Sequence, residues 1–416
     1  MATIWHPFTQ MKTAAPPLPI VSGKGSTLIT SSGERFLDGI SSWWVNLHGH
    51  CHPHIADKIG KQARELEHVL FAGCIHPRAE ELSDRILPLF PGNMGKIFYS
   101  DNGSTAVEVG LKIAIQYWYN QGIPKTTILS FRNGYHGDTL GMMAAAGKNE
   151  FNRPFWNHMF DVVSITPPTK GNEEQSLREI KEALSHHDVA CFLFEPLMQG
   201  VAGMIPHCPL TLDRLLAECK KQGVLTIADE VMTGFGRTGP LFASEHLANS
   251  PDILCVSKGI TGGFLPLGAT VCTRDVYEHF HANTIQKAFL HGHSYTANPI
   301  ACASALASLD LLLTDSCEKK RKAIGKAHHT FVKKWQMHPK LIRCETLGTI
   351  LVLEYRDEAA NYFSSIRDSL YTHFIQRNIL LRPLGNVLYV LPPYCITGDE
   401  LTSIYLAIEE TLEGSI

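Results

Sequence analysis

VLTIADEVMTGFGRTG, residues 224–239, and ILCVSKGITGG, residues 253–263, decide how this chain is read. Each opens as a short, continuous apolar run and closes on a charged side chain, Asp229 in the first and Lys258 in the second. Runs that are apolar on both faces and bounded by turns suit a parallel sheet covered on both sides by helices. TTILSF, VACFLFEP and GATVCT repeat the pattern. KIFYS (Lys96 to Ser100) leads through DNGST into a helix whose Val107, Leu111, Ala114 and Trp118 keep helical spacing. Leu212, Leu215, Leu216 and Cys219 share a second helical face, followed by lysines and by Gly223 where a C-terminal cap belongs. The pattern predicts an α/β fold: a large domain with a mostly parallel sheet covered by helices, plus a smaller α+β domain. Ligands of such sheets collect at the carboxyl ends of the strands. Ser100, Glu195, Asp229 and Lys258 all fall at such ends, which predicts one shared site.

A lysine that closes an apolar strand is placed to be desolvated, which lowers its pKa and provides the neutral amine needed to form an imine. Pyridoxal 5'-phosphate requires such an amine, together with an anion at its pyridine nitrogen so that the ring can absorb electrons; Asp229 is the matching carboxylate. In DNGST, Gly103, Ser104 and Thr105 stand at a helix N-terminus, where free amides and the macrodipole favour a phosphate. Tyr135, in NGYHGDTLG, is suited to lie on a heterocycle, with Gly134 and Gly137 permitting close backbone approach. Ser294, in HGHSYTANP, offers a further phosphate ligand. Taken singly, each has a plainer reading: Asp229 a helix cap, Lys258 a solvated cation, Ser104 or Thr105 an N-cap, Tyr135 a packed loop residue, Ser294 a turn. GFGRTG, residues 234–239, has the spelling GxGxxG but begins only after four residues that follow the run VLTIAD, instead of directly joining a strand to a helix, and GxxxxGK[ST] is absent, so dinucleotide and nucleoside triphosphate sites are not indicated.

The chain has 416 residues, which predicts two domains: residues 49–305 as the large cofactor-binding one, and 1–48 with 306–416 as a small one formed by both termini. A formal charge of -3 and the lack of a basic, aromatic-interleaved stretch argue against nucleic acid. No apolar run reaches the length of a membrane span, and the N-terminus lacks the pattern of a leader, so the expected location is cytoplasmic. Eleven cysteines without a CxxC pair suggest buried thiols. HGHCHPH, with His48, His50, Cys51, His52 and His54, looks metal-like. Its residues crowd into one turn interrupted by Pro53, whereas zinc ligands come as spaced pairs. The segment is therefore expected to be a loop entering a helix, with no metal; a metal-dependent hydrolase built on these histidines is the remote alternative.

Together DEVMTGFGRTG, SKGITGG, NGYHGDT and HGHSYTANP resemble the class III, fold-type I pyridoxal phosphate aminotransferases over nearly the whole chain. Through WHPFTQM, DGISSWWVNLHGH, FGRTGPLFASEH, PDILCVSKGITGG and LLRPLGNVLYVLPPY the resemblance is nearest to the members of biotin synthesis that convert 8-amino-7-oxononanoate to 7,8-diaminononanoate. It implies that Lys258 holds the cofactor as an imine and shuttles the proton, and that Asp229 pairs with the pyridinium. It further implies that Tyr135 stacks on the ring, that Gly103 and Ser104 bind the phosphate, and that Ser294 reaches the phosphate of a neighbouring subunit, which requires a homodimer. Phe8, Trp43, Trp44, Asp138, Arg237, Gly292 and Arg382 become the implied substrate contacts, with the tryptophans lining an apolar channel and Arg382 clamping a distal carboxylate. For Arg237 the alternative is that it positions its own loop.

Departures from the family pattern bear on the substrate. Relatives that use 2-oxoglutarate commonly carry a glutamate where EPLMQGV has Val201, and a glutamine where this chain has Met232, which speaks against ornithine and 4-aminobutyrate as partners. Members that use adenosylmethionine typically read WHPYT, whereas Phe8 resembles the members that use lysine. The expected amino donor is S-adenosylmethionine or lysine; another class III omega-amino acid or diamine aminotransferase is the alternative.

Overall fold

The computed structural model describes residues 3–357 and 366–414. Its centre is a seven-stranded sheet that runs, edge to edge, Met94–Ser100, Gly268–Thr273, Ile253–Val256, Leu225–Asp229, Val189–Phe194, Thr127–Phe131 and Val163–Ile165. Leu225–Asp229 pairs in parallel with both neighbours, in the register Asp229 to Cys255 and Ala228 to Phe194. Every residue of Val189–Phe194, Leu225–Asp229 and Ile253–Val256 is buried, which is why these strands carry no alternation of apolar and polar residues. GATVCT departs from the expected parallel pattern, because Gly268–Thr273 lies antiparallel to Ile253–Val256 and to Met94–Ser100. The physical reason is the connection. Residues 257–267 hold only the short 3-10 turn Lys258–Thr261, too little chain for a helical crossover, so the strand must return alongside the one it left.

Helix Gly103–Asn120 starts at the carboxyl end of Met94–Ser100 and packs on five sheet strands. Helix Pro299–Leu312 is apolar on all sides and buried on nearly all of them, wedged against helices Pro53–Glu65 and Pro77–Ile86. The lysine-rich stretch after it forms a helix of its own, Asp315–Trp335, whose Ile324, Phe331, Val332 and Trp335 are buried. Among the described residues no single helix is long and apolar enough to cross a membrane.

Both ends of the chain enter one four-stranded sheet, in which Ile379–Leu380 pairs in parallel with Leu37–Asp38 beside Ile20–Lys24 and Thr27–Thr30. Just after it the backbone does something rare for L-residues. Ser41, Ser42, Trp43 and Trp44 have φ of 51°, 45°, 74° and 73°, a full left-handed turn without a glycine. Left-handed backbone costs such residues roughly 1–2 kcal/mol each, so surrounding bonds must over-determine the turn.

Candidate active site

A cavity of about 720 Å³ opens at the carboxyl ends of the central strands, and Lys258, Asp229, Glu195, Gly103 and Ser104 all lie on its wall. Asp229 ends its strand with its carboxylate held from two sides: Oδ1 accepts the Val231 amide at 3.0 Å and Oδ2 accepts Nδ1 of buried His136 at 2.8 Å. Lys258 sits at the start of its 3-10 turn with φ 42° and directs Nζ to within 4.4 Å of the Trp44 ring centroid. Among the described residues Nζ has no hydrogen-bond acceptor or ion-pair partner. Burial lowers its pKa from the ordinary lysine value to about 8, against the opposing pull of Asp229 and Glu195.

Glu195 closes the neighbouring strand and spans two loops, accepting the Tyr135 amide at 3.0 Å on Oε1 and the Gly200 amide at 2.9 Å on Oε2. Burial pushes its carboxyl up to about 7, with Asp229 adding to the rise and His136 opposing it. The Tyr135 hydroxyl donates to Asp138 Oδ2 at 2.9 Å, and burial, with Asp138 beside it, raises the phenol's pKa.

At the helix N-terminus the cap is Asn102, not Ser104 or Thr105. Asn102 Oδ1 accepts the Thr105 amide and Thr105 Oγ1 accepts the Asn102 amide, a reciprocal capping box. The amides of Gly103 and Ser104 are left at the positive end of an 18-residue helix. Gly137, at φ 121°, passes so close that a Cβ there would sit 1.9 Å from Ser104 Oγ. A phosphate-bearing pyridine aldehyde therefore finds three matching groups in one cavity: anion-receptive amides, a carboxylate for a ring nitrogen and a weakly basic amine.

The rest of the wall is aromatic. Trp44 is buried and meets Tyr389 edge to face; Trp43, 37 % exposed, meets Phe8 in the same way and lies under the Arg382 guanidinium, 4.3 Å from its ring centroid. Among the described residues Arg382 makes no ion pair. Phe8, Asp138, Val201 and Met232 also line the cavity.

Three expected site residues lie elsewhere. Arg237 is not a cavity residue: it is 1 % exposed, and its guanidinium donates to the carbonyls of Pro392, Trp44 and Asn46 at 3.0, 3.1 and 3.3 Å. Bonded to backbone carbonyls and off the cavity wall, the guanidinium favours the positioning alternative over a substrate contact. Gly292 and Ser294 lie on the loop before Pro299, outside this cavity.

The histidines of HGHCHPH disperse to separate partners, His48 to Ser308, His50 to Asp38 and His54 to Asp310, and burial drives the His48 pKa down to about 3. His52 stands before helix Pro53–Glu65, as a loop entering a helix requires. Sequence reasoning missed His136 and the two-loop grip of Glu195. The signal for His136 was its place between the glycines of NGYHG; nothing local indicated that Asp229 would need a buried donor.

The family described as aminotransferase class-III matches residues 9–412 of the chain. The adenosylmethionine-8-amino-7-oxononanoate aminotransferase of Synechococcus elongatus is 45% identical over 99% of this chain and 98% of its own length. The crystal structure of the enzyme of that name from Methanocaldococcus jannaschii superposes with a TM-score of 0.92 at 33% identity, covering 98% of this chain and 97% of that one. An amine transaminase from an uncultivated Pseudomonas species, crystallised with pyridoxal phosphate, follows at a TM-score of 0.90 and 29% identity, covering 98% of both chains.

Proposed function

Because the chain belongs to the class III aminotransferases, we propose that it carries out the pyridoxal phosphate-dependent amination of 8-amino-7-oxononanoate to 7,8-diaminononanoate in biotin synthesis. The observation that carries the reading is the union, in one cavity, of Lys258 and Asp229 with an aromatic wall ending at Arg382. When bound, pyridoxal phosphate supplies an aldehyde carbon and an electron sink.

The chain's own residues do the rest. Asp229, braced by His136, holds a proton at the pyridine nitrogen, and the amides of Gly103 and Ser104 bind the phosphate. Lys258 Nζ, its pKa lowered by burial, would carry the proton between the substrate's α carbon and the carbon of the cofactor's former aldehyde, two bonds away. Tyr135 walls the ring with its hydroxyl tied to Asp138. Trp43 and Trp44 bury the methylene chain of the acceptor, and Arg382 pairs with its far carboxylate.

The amino donor is S-adenosylmethionine or lysine; a sulfonium is held against the tryptophan faces by cation–π attraction. The enzyme works in the cytoplasm as a homodimer in which Ser294 of one subunit completes the phosphate site of the other. The exposure of Leu290, Tyr295, Leu70 and Ile75, with His68 and Tyr295 in ring contact, supports a partner over that face.

The test is a half-reaction. The holoenzyme is mixed in turn with S-adenosylmethionine, lysine, ornithine and 4-aminobutyrate while its visible absorption is followed. One of the first two should bleach it, and subsequent 8-amino-7-oxononanoate should restore the band with formation of 7,8-diaminononanoate. Bleaching by ornithine or 4-aminobutyrate alone overturns the assignment.

A further inference from the structure

The left-handed turn that presents Trp43 and Trp44 is gripped at both ends. Asp38, fully buried, sits at its start: Oδ1 accepts the amides of Ile40 and Ser42 at 3.1 and 3.0 Å, and Oδ2 accepts the Ser42 hydroxyl at 2.8 Å and His50 Nε2 at 2.9 Å. The direction of that last bond is fixed by what lies behind it. Asn46 Oδ1 accepts the Gly49 amide at 2.8 Å, so its Nδ2 faces His50 Nδ1 at 3.1 Å as a donor, and the imidazole proton must stand on Nε2, toward Asp38. His50 is itself tied to the N-terminal sheet through reciprocal backbone bonds with Gly25. At the far end the Ser41 hydroxyl donates to the Leu391 carbonyl at 2.7 Å, and Arg237 takes the carbonyls of Trp44 and Asn46.

We propose that Asp38, backed by the relay through His50 and Asn46, is a positioning residue that holds the left-handed turn and so sets the placement of Trp43 and Trp44 against the substrate. Asp38 lies off the cavity, and its two oxygens accept four bonds, three of them from the turn or the residue before it. Without an anion there, Ile40 and Ser42 lose the bonds that fix the start of the turn, and the run of four non-glycine residues at positive φ relaxes. The tryptophans then leave the channel, while Lys258, Asp229 and the helix N-terminus, carried by the sheet, stay in place.

The proposal rests on the substrate reading only for its kinetic part. Asp38→Asn keeps the shape but replaces one acceptor oxygen with a donor that faces donors. The holoenzyme should keep its visible band and kcat within about threefold, while KM for 8-amino-7-oxononanoate rises by about tenfold or more, in line with the loss of hydrogen bonds to a charged acceptor. The near-ultraviolet circular dichroism of the tryptophans should collapse toward that of mobile rings. His50→Gln, which leaves Asp38 charged but breaks the relay, should move both readouts in the same direction and less far, and it serves if Asp38→Asn does not fold. Wild-type KM and near-ultraviolet spectrum in both variants overturn the proposal, as does loss of cofactor loading in parallel with substrate affinity. If the wild-type enzyme does not aminate 8-amino-7-oxononanoate, the functional reading fails, and the near-ultraviolet comparison still decides the role of Asp38.

Discussion

Lys258 is a cation that its surroundings push toward neutrality, and the sign of that effect is measurable. With a folded pKa near 8 against an ordinary 10.5, the unfolded chain binds the extra proton between those values, so stability rises with pH across that window and the penalty is complete below 8. Cofactor-free Lys258→Met should therefore be more stable than the cofactor-free parent at pH 7, by at most about 3 kcal/mol. Denaturant titrations should show the gap closing between pH 8 and 10.5. A gap that stays constant over that range would mean the amine is not desolvated. Lys258 and Asp229 were legible as residues because a charged side chain at the end of an apolar strand is an anomaly that demands a partner. Arg237 was not: guanidinium groups recognise carboxylates and backbone carbonyls alike, and only the fold decides which comes within reach.

The loop of Tyr135 meets the helix of Ser104 where Gly137 has room for neither a side chain nor an L-residue's preferred backbone. Gly137→Ala places a Cβ 1.9 Å from Ser104 Oγ at φ 121°, and should cost about 2–3 kcal/mol in thermal or denaturant unfolding while weakening cofactor affinity. Gly223→Ala is the contrast: it follows helix Pro209–Lys221 at φ 65° with open space around it. It should cost about 1 kcal/mol and leave activity unchanged. If both variants behave alike, the close approach at Gly137 has no special importance. Strands and helices such as Leu225–Asp229 and Pro209–Lys221 could be read locally, since burial and helical spacing leave their mark in the order of residues. The turn of Ser41–Trp44 could not, because nothing in SSWW favours positive φ and the bonds that impose it come from Asp38, Leu391 and Arg237.

A homodimer with shared sites makes a demand that neither a monomer nor a dimer with self-contained sites meets. Lys258→Ala and Ser294→Ala should each lose most activity alone. Co-expressed, they form mixed dimers in which one site has both residues intact, and random mixing should restore about a quarter of wild-type activity. Absence of recovery, with mixed dimers verified by tag, would mean that Ser294 does not complete the neighbouring subunit's site. Residue order alone carried the family, the sheet-forming strands, the lysine and carboxylate pair and the aromatic and basic residues of the cavity, because motifs and apolar runs are local and short. It could not orient Gly268–Thr273, draw His136 to Asp229, withdraw Arg237 from the cavity or wind Ser41–Trp44 to the left. Those outcomes depend on which polar groups meet once distant segments pack, and a buried donor or acceptor takes the partner that packing brings within reach.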